Sequence, residues 1–401
     1  MVTRNFSYLV DKTLDFEFPP PVEEVFMSIL DCRWLQRLRD VYQTGCCRYV
    51  FPFSENTRFG HSLHAAYLMY RCAKKLEILE QSVDLAYSLV LASLLHDIGH
   101  LAPGSHLAWR IWFPDQQDFH EKLGLKIITS SWFQSEINLP DKILDYLIDL
   151  LGQERRLAPE YCYQLLHGDF WNVDRGSWIY TDSILSGVGF GIYNVDALID
   201  SLIVKQEKLG IKKRRIPTLL SFFLSRFAMY DQVFYHPKVL SAEVLLEKIV
   251  KRAKFLSHNQ VFADETMVRF LQCVSWNDIG IEDIYVNSES WFRYHLIQWS
   301  KSKDSILSDL CMRFMQRRFF KYFEVSDHNI KETFENFKFK CTSKNLDPDY
   351  YLSMRSVNLD DLHKNGEVFD EDLAMQCQNI LMGMNKFGKK NYIFGPLEIF
   401  E

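Results

Sequence analysis

The sequence predicts a mainly α-helical protein: a helical core with one small β-hairpin, then a C-terminal extension grading from helical to α+β. Three observations carry that reading. Apolar residues recur every 3.6 positions through most of the chain, the mark of helices with one buried face. One stretch, Gly187–Val195 with Leu198–Val204, is instead rich in glycine and β-branched residues and alternates. Past residue 323 the pattern weakens, and Pro348 and several glycines interrupt it.

Taken in order, Pro19-Pro20-Pro21 marks an extended entry to the first helix, and Asp31 is the expected cap of a segment running from Cys32 to Val41. His61–Leu76 follows, with Leu63, Tyr67, Leu68, Cys72 and Leu76 at helical spacing. Val83–Leu95, His120–Ser131, Asp141–Leu151 and Asp174–Leu185 read the same way. The hairpin comes next, with Glu207–Gly210 as its turn, and then helices over Pro217–Tyr230 and Lys238–Phe255. Beyond residue 260, Asp283–Trp299 and Asp304–Tyr322 are again helical. Arg317-Arg318 falls in an aromatic-rich part of the last helix, Phe314–Phe323, where arginine stems are expected to lie along the core. Residues 1–260 are thus expected to form a core domain and residues 261–401 an extension.

With 401 residues, 47% of them hydrophobic and 15% aromatic, the chain can bury a large core and is not a disordered protein. A net charge of −6 argues against bulk attraction to nucleic acid or an anionic membrane, so an anionic substrate needs arginine or lysine placed locally. The run Lys212-Lys213-Arg214-Arg215 reads as a solvated connection before Pro217, with nucleic-acid binding the less favoured alternative. Nine cysteines without framework spacing, and a Met1–Asp15 segment without an apolar stretch, point to the cytoplasm. The most apolar window, Leu85–Ala102, contains His96, Asp97 and His100 and is not expected to cross a membrane.

Those interruptions carry the chemistry. His61, the pair His96-Asp97, and Asp174 supply two imidazoles and two carboxylates, a ligand set for a divalent cation. Three of them lie in apolar or aromatic surroundings, Arg58-Phe59-Gly60-His61-Ser62-Leu63 and Leu94-Leu95-His96-Asp97-Ile98-Gly99-His100, where an uncompensated polar group costs several kcal/mol. A His-Asp dipeptide means little alone. Here His61 opens one helix, His96-Asp97 closes the next and Asp174 starts a third, so a bundle of the three can gather all four groups. The plainer alternative is a satisfied core histidine with surface aspartates. It suits His61 taken alone better than it suits the full set.

The string Trp34-Leu35-Gln36-Arg37-Leu38-Arg39, Gln43, Tyr49-Val50-Phe51-Pro52 and Asn56-Thr57-Arg58-Phe59-Gly60-His61-Ser62, followed by Leu95-His96-Asp97-Ile98-Gly99-His100, resembles the HD-domain phosphohydrolases. The likeness is to the branch of deoxynucleoside triphosphate triphosphohydrolases that includes the dGTPases and the sterile-alpha-motif-linked HD enzyme. It continues through His120-Glu121, Asn172-Val173-Asp174, Arg226 and Phe234-Tyr235-His236-Pro237-Lys238, and covers about residues 20–325. The resemblance implies an HD-domain helical core and an enzyme that binds metal at His61, His96, Asp97 and Asp174. It implies hydrolysis of a dNTP to nucleoside and triphosphate, and a homodimer or higher homo-oligomer. The ion is left open among Mn, Fe, Co, Ni, Zn and Mg. His106 and His120 match histidines that act as acid or electrostatic partners, with Glu121 orienting His120. Arg58 and Arg226 match phosphate-binding arginines, and Gln43 and Asp182 match residues at the sugar 3′-hydroxyl. His100 reads as a hydrogen-bonding neighbour of a ligand, and His64 as a core or solvent-facing residue.

Four positions depart from that pattern. Ser177 stands where an acidic residue is expected, Trp178 replaces a tyrosine, Thr44 a leucine, and Phe234 a tyrosine that helps exclude the ribose 2′-hydroxyl. Ribonucleotides and other phosphate esters therefore stay open as substrates. A phosphomonoesterase or phosphodiesterase of the same superfamily and a non-catalytic nucleotide-binding regulator are the rival readings.

Overall fold

The computed structural model describes residues 1–8, 12–104, 107–114, 116, 119–168, 171–256, 260–359 and 389–401. Helices dominate it, and its sheets have two or three strands each.

Three helices form the heart of the molecule: Arg58–Lys75, Val83–Leu95 and Val173–Ser186. Each starts where a short polar side chain satisfies a free backbone N–H. Thr57 accepts from Gly60, Ser82 from Leu85 and Asn172 from Arg175. Every residue from Leu85 to Leu95 is buried, so Val83–Leu95 is the central rod against which the others pack. These caps set the register: His61 and Asp174 sit in the first turns of their helices, and His96-Asp97 leave the C-terminus of the rod. The turn that follows the rod lies hard against the helix Phe119–Ile128. A Cβ on Gly99 would come within 2.1 Å of the His120 carbonyl and 2.3 Å of the Gly124 nitrogen, so only glycine fits there.

The other predicted helices appear with shifted ends, as Asp141–Gly152, Ile216–Met229 and Pro237–Leu256. Pro19 is the extended residue before the first helix, Pro20–Asp31, whose opening turn tolerates proline because its N–H groups have no partner in any case. Asp31 ends that helix. The cap of the next, Arg33–Arg37, is Cys32, whose Sγ accepts from the Leu35 N–H at 3.4 Å.

Three expectations are corrected. The chain begins with an antiparallel hairpin, Val2–Tyr8 with Lys12–Phe18, which buries Leu14, Phe16 and Phe18. The second hairpin is Leu202–Lys205 paired with Lys208–Ile211, not Gly187–Val195 with Leu198–Val204. Gly187 and Gly189 adopt φ of +75° and +69° in a turn after a helix end, and Asn194 caps the helix Val195–Ser201. Finally, the helix predicted to reach Tyr322 stops at Met315, and Lys321–Val325 is a strand. Arg317, at φ +56°, and Arg318 are exposed in the connection rather than laid along a helix. That strand is one edge of an antiparallel sheet with Lys389–Gly395 at its centre and Ser353–Asn358 at the other edge.

The span predicted as Asp283–Trp299 divides into Ile281–Val286 and Glu289–Trp299. The break holds the site in place. Asn287, fully buried, accepts from the Ala102 N–H at 2.6 Å through its side chain and from Arg37 at 3.0 Å through its carbonyl. Glu289 accepts from the Gly104 N–H at 2.6 Å. One apolar cluster runs from Leu14 to Phe394, and a second joins Val325, Cys341, Leu352, Ile393 and Ile399.

Candidate metal centre

His61, His96, Asp97 and Asp174 converge. His61 Nε2 lies 3.1 Å from Asp174 Oδ1, 3.2 Å from His96 Nε2 and 3.5 Å from Asp97 Oδ2. His96 Nε2 is 3.4 Å from Asp97 Oδ1 and 3.6 Å from Asp174 Oδ1. The His61 side chain is fully buried, while that of Asp174, 35% exposed, marks the open side. The remaining ring nitrogens are turned outward and tied down: His96 Nδ1 lies 2.8 Å from the Ser93 carbonyl and His61 Nδ1 3.1 Å from Ser177 Oγ. Both Nε2 atoms are thereby aimed at one point, as ligating imidazoles are when an outer hydrogen bond fixes the ring.

The charges agree with that geometry. Burial works against an ionised Asp97, but Arg58, His96 and His100 hold its carboxyl well below the usual range. Burial likewise opposes ionisation of Asp174, and hydrogen bonds from His61 and His96 overcome it and pull the group far down. For His96, burial disfavours the cation, yet Asp97 and Asp174 push its pKa up to about 9. Two carboxylates thus stay ionised by keeping a proton on an imidazole between them. A divalent cation supplies the same positive charge to the same donors, which is the chemical sense in which these residues fit a metal.

Two flanks border the cluster. The open one is a cleft whose wall includes His96, His120, Glu121, His167, Asp174 and Arg175. His120 stacks on His100 at 4.1 Å between ring centres, and His100 Nε2 is 3.1 Å from Asp97 Oδ1. Asp97, His100 and His120 form a second group whose ligand-type atoms all lie within 4.8 Å of one another. His106 lies outside the described residues.

The closed flank holds Gln43, Arg58 and Asp182, all buried. Arg58 Nη1 donates to Asp97 Oδ2. Burial pushes the Asp182 carboxyl up to about 8 against the pull of Asn56 and Arg58. Gln43 Oε1, Asn56 Nδ2, Arg58 Nε and Asp182 Oδ1 are buried without a hydrogen-bond partner among the described residues. Arg226 lies apart from the cleft wall, its guanidinium 5.9 Å from the Tyr230 ring.

Several site residues carry no sequence signal of their own. His167 is one. Burial lowers it to about 4, and its Nε2–H donates to the Leu150 carbonyl at 3.1 Å. Arg37, buried, donates to the carbonyls of Ile98 and His100 at 2.9 and 2.6 Å and so holds the turn that carries Asp97. Arg175, next to Asp174 on the cleft wall, donates through Nη1 to the Gly168 carbonyl at 2.6 Å.

Residues 58–146 match the HD domain family, a span that contains His61, His96 and Asp97. The chain thus carries an HD domain, and its matches support an HD-superfamily phosphohydrolase. It is 26% identical over 343 residues to the uncharacterized protein YwfO of Bacillus subtilis, covering 83% of this chain and 76% of the relative. A Dictyostelium discoideum homolog of the deoxynucleoside triphosphate triphosphohydrolase SAMHD1 is 23% identical over 241 residues, 57% of this chain and 46% of that one. The chain thus spans three quarters of the first relative and about half of the second. Its fold is that of a phosphohydrolase from Bacteroides thetaiotaomicron, with a TM-score of 0.81 at 23% identity, covering 98% of this chain and 100% of the other. A hypothetical protein from Aquifex aeolicus superposes with a TM-score of 0.74 at 21% identity, over 98% and 97% of the two chains. HD domains depend on metal, and His61, His96 and Asp174 form a group able to hold one. No helix among the described residues is long and apolar enough to cross a membrane.

Proposed function

We propose that this HD phosphohydrolase hydrolyses nucleoside triphosphates, dNTPs foremost, to nucleoside and triphosphate, with a divalent cation held by His61, His96, Asp97 and Asp174. The observation that carries the reading is the pairing of that four-residue centre with a closed flank of unsatisfied polar atoms. Gln43, Asn56, Arg58 and Asp182 each leave a buried donor or acceptor open, a cost of roughly 1–3 kcal/mol per group that a bound polar ligand repays. A carboxyl kept protonated by burial, as Asp182 is near neutral pH, can donate to a sugar hydroxyl as well as accept from one.

The bound cation would polarise phosphate oxygens and lower the pKa of water. The chain's own residues do the rest. Arg58, tied to Asp97, presents its guanidinium between the centre and the closed flank, where it serves phosphate and Asp97 together. His120, stacked on His100 at the cleft, is placed to stabilise or protonate a leaving oxygen, and Glu121 follows it on the same wall. His106 shares that role by resemblance, and Arg226 is assigned to the phosphates on the same ground.

Residues 1–260 carry this chemistry in our reading, and the extension from 261 braces it through Asn287 and Glu289. The curated SAMHD1 relative supports the dNTP preference. A homodimer or larger assembly is proposed on resemblance, and a cytoplasmic location on the eight described cysteines, all free thiols.

The test is a product-resolved assay. Protein freed of metal by dialysis is given Mn²⁺ and each dNTP and NTP, and products are separated by ion exchange. Nucleoside plus triphosphate is the expected pair. With a nucleoside monophosphate and a dinucleotide added as further substrates, orthophosphate from the first would make the enzyme a phosphomonoesterase, cleavage of the second a phosphodiesterase, and nucleotide binding without turnover a regulator. The same assay reads the sugar. Phe234, packed 5.3 Å from the Trp178 ring, offers no hydroxyl, so discrimination against NTPs is expected to be weak.

A further inference from the structure

Ser177 is a fully buried hydroxyl that touches two imidazoles at once: Oγ lies 3.1 Å from His61 Nδ1 and 3.0 Å from His64 Nδ1. Its third contact, 3.4 Å to the His61 carbonyl, is the longest and competes for the same hydrogen. A serine hydroxyl has one hydrogen to give and can accept two, so at most one of the two imidazoles receives its hydrogen. With His61 Nε2 presenting a lone pair to a cation, its proton is on Nδ1 and is donated to Ser177. We assign the hydrogen of Ser177 to the shorter acceptor, His64 Nδ1 at 3.0 Å, over the His61 carbonyl at 3.4 Å.

His64 is held from its far side. The Tyr8 ring of the N-terminal hairpin stacks on it at 4.6 Å and 26°, while Tyr8 Oη and Thr181 Oγ1 are 2.7 Å apart. Thr181 belongs to the helix that carries Asp174 and Ser177. Hairpin, His64 and that helix therefore form one packed unit behind His61.

We infer that Ser177 and His64 are a positioning relay for the metal centre, fixing the ring orientation and tautomer of His61 so that Nε2 is free to ligate. The relay deepens the proposed metal centre and rests on it. Both residues act through His61, and neither meets the substrate. Outer partners of ligating histidines set ring basicity as well as orientation, and their loss weakens metal binding by about 10–100-fold.

The experiment measures Mn²⁺ binding to the metal-free full chain by the loss of the free-ion paramagnetic signal, together with the d–d absorption of the Co²⁺ form. Ser177→Ala is expected to weaken Mn²⁺ binding by about 10–100-fold and to shift the Co²⁺ band. His64→Phe, which keeps the stack on Tyr8 and deletes the acceptor, should weaken binding in the same direction by about 3–10-fold. Ser177→Thr retains the hydroxyl, and His64→Asn places an amide oxygen where Nδ1 was. Both are expected within about threefold of wild type, and metal-free thermal unfolding checks that every variant is folded. Wild-type affinity in Ser177→Ala overturns the relay. So does a loss in the rescuing pair equal to that in the deleting pair, since packing would then explain it. Wild-type binding by His96→Ala reports a different failure, that of the four-residue centre itself, and removes the relay with it.

Discussion

The two flanks of the four-residue cluster share the helix Val173–Ser186, which carries Arg175 on one and Asp182 on the other, yet they solve opposite problems. On the open side His96, His120, His167 and Arg175 face a cleft, and water can satisfy whatever they leave unpaired. On the closed side Gln43, Arg58 and Asp182 are buried and Asn56 half-buried, each with a buried polar atom left over that a ligand or trapped water can complete. The open flank is organised for charge and proton traffic. The closed flank is organised to recognise something of fixed shape. Substitutions on the two sides should accordingly part company, the first kind acting on turnover and the second on binding and on stability without ligand.

The centre between the flanks gives the largest effect. Removing one ligand deprives the cation of a donor and leaves its partners as mutually repelling charges. His96→Ala and Asp97→Asn are each expected to lower kcat/KM by at least about a thousandfold with the fold retained, as circular dichroism and product assay will show. Full activity in either variant would break the comparison at its middle.

Arg58 belongs to the centre and the closed flank together, so Arg58→Ala sharpens the boundary. Its guanidinium and Asp97 are both buried, and deleting one member of such a pair typically costs about 3–5 kcal/mol. Denaturant melts should therefore show the loss, and kcat should fall along with a rise in KM. A rise in KM alone, at unchanged stability, would assign Arg58 wholly to the closed flank.

Asp182 tests the closed flank through pH. Its folded pKa is raised from 3.8 to about 8, so folding takes up a proton wherever the unfolded carboxyl is ionised. The wild type should be at no disadvantage near pH 4, lose stability steadily as pH rises towards 8, and change no further beyond it. Asp182→Asn removes that titration. Its melting temperature is expected to match wild type near pH 4 and to exceed it increasingly up to pH 8. A difference independent of pH would show that the carboxyl is ionised in the fold.

How much of this was legible follows physical lines. His61, His96, Asp97 and Asp174 could be read because polar groups inside apolar runs are costly and therefore informative. The helices were legible because burial imposes a 3.6 period. The N-terminal hairpin is harder to read: Leu14, Phe16 and Phe18 alternate with Asp15 and Glu17, but the partner strand Val2–Tyr8 is mostly polar and exposed and offers no matching apolar face. Gly187 and Gly189 looked like strand residues where they are a helix stop, since composition does not distinguish a glycine of a turn from one of a hairpin. Asn287 shows the deeper limit. It holds the turn after His96 from nearly two hundred residues away, and nothing local in its sequence announces a buried amide that reaches another element.

The smallest effect belongs to the open flank. His167 lines the cleft but is neutral, its pKa lowered by burial from 6.5 to about 4, with Nε2–H committed to the Leu150 carbonyl. A neutral imidazole so engaged has no proton to exchange near pH 7. His167→Gln is therefore expected to leave the pH profile of kcat unmoved and to alter KM by no more than about fivefold. Stability gives the complementary sign. Because the unfolded imidazole gains a proton as pH falls through 6.5 while the folded one waits until about 4, the wild type should lose stability over that interval. The glutamine variant should lose less, and melts at pH 7.5 and pH 4.5 measure the difference. A shifted acid limb in the rate profile would instead make His167 part of the proton traffic, and the open flank would extend one residue deeper than its hydrogen bonds now place it.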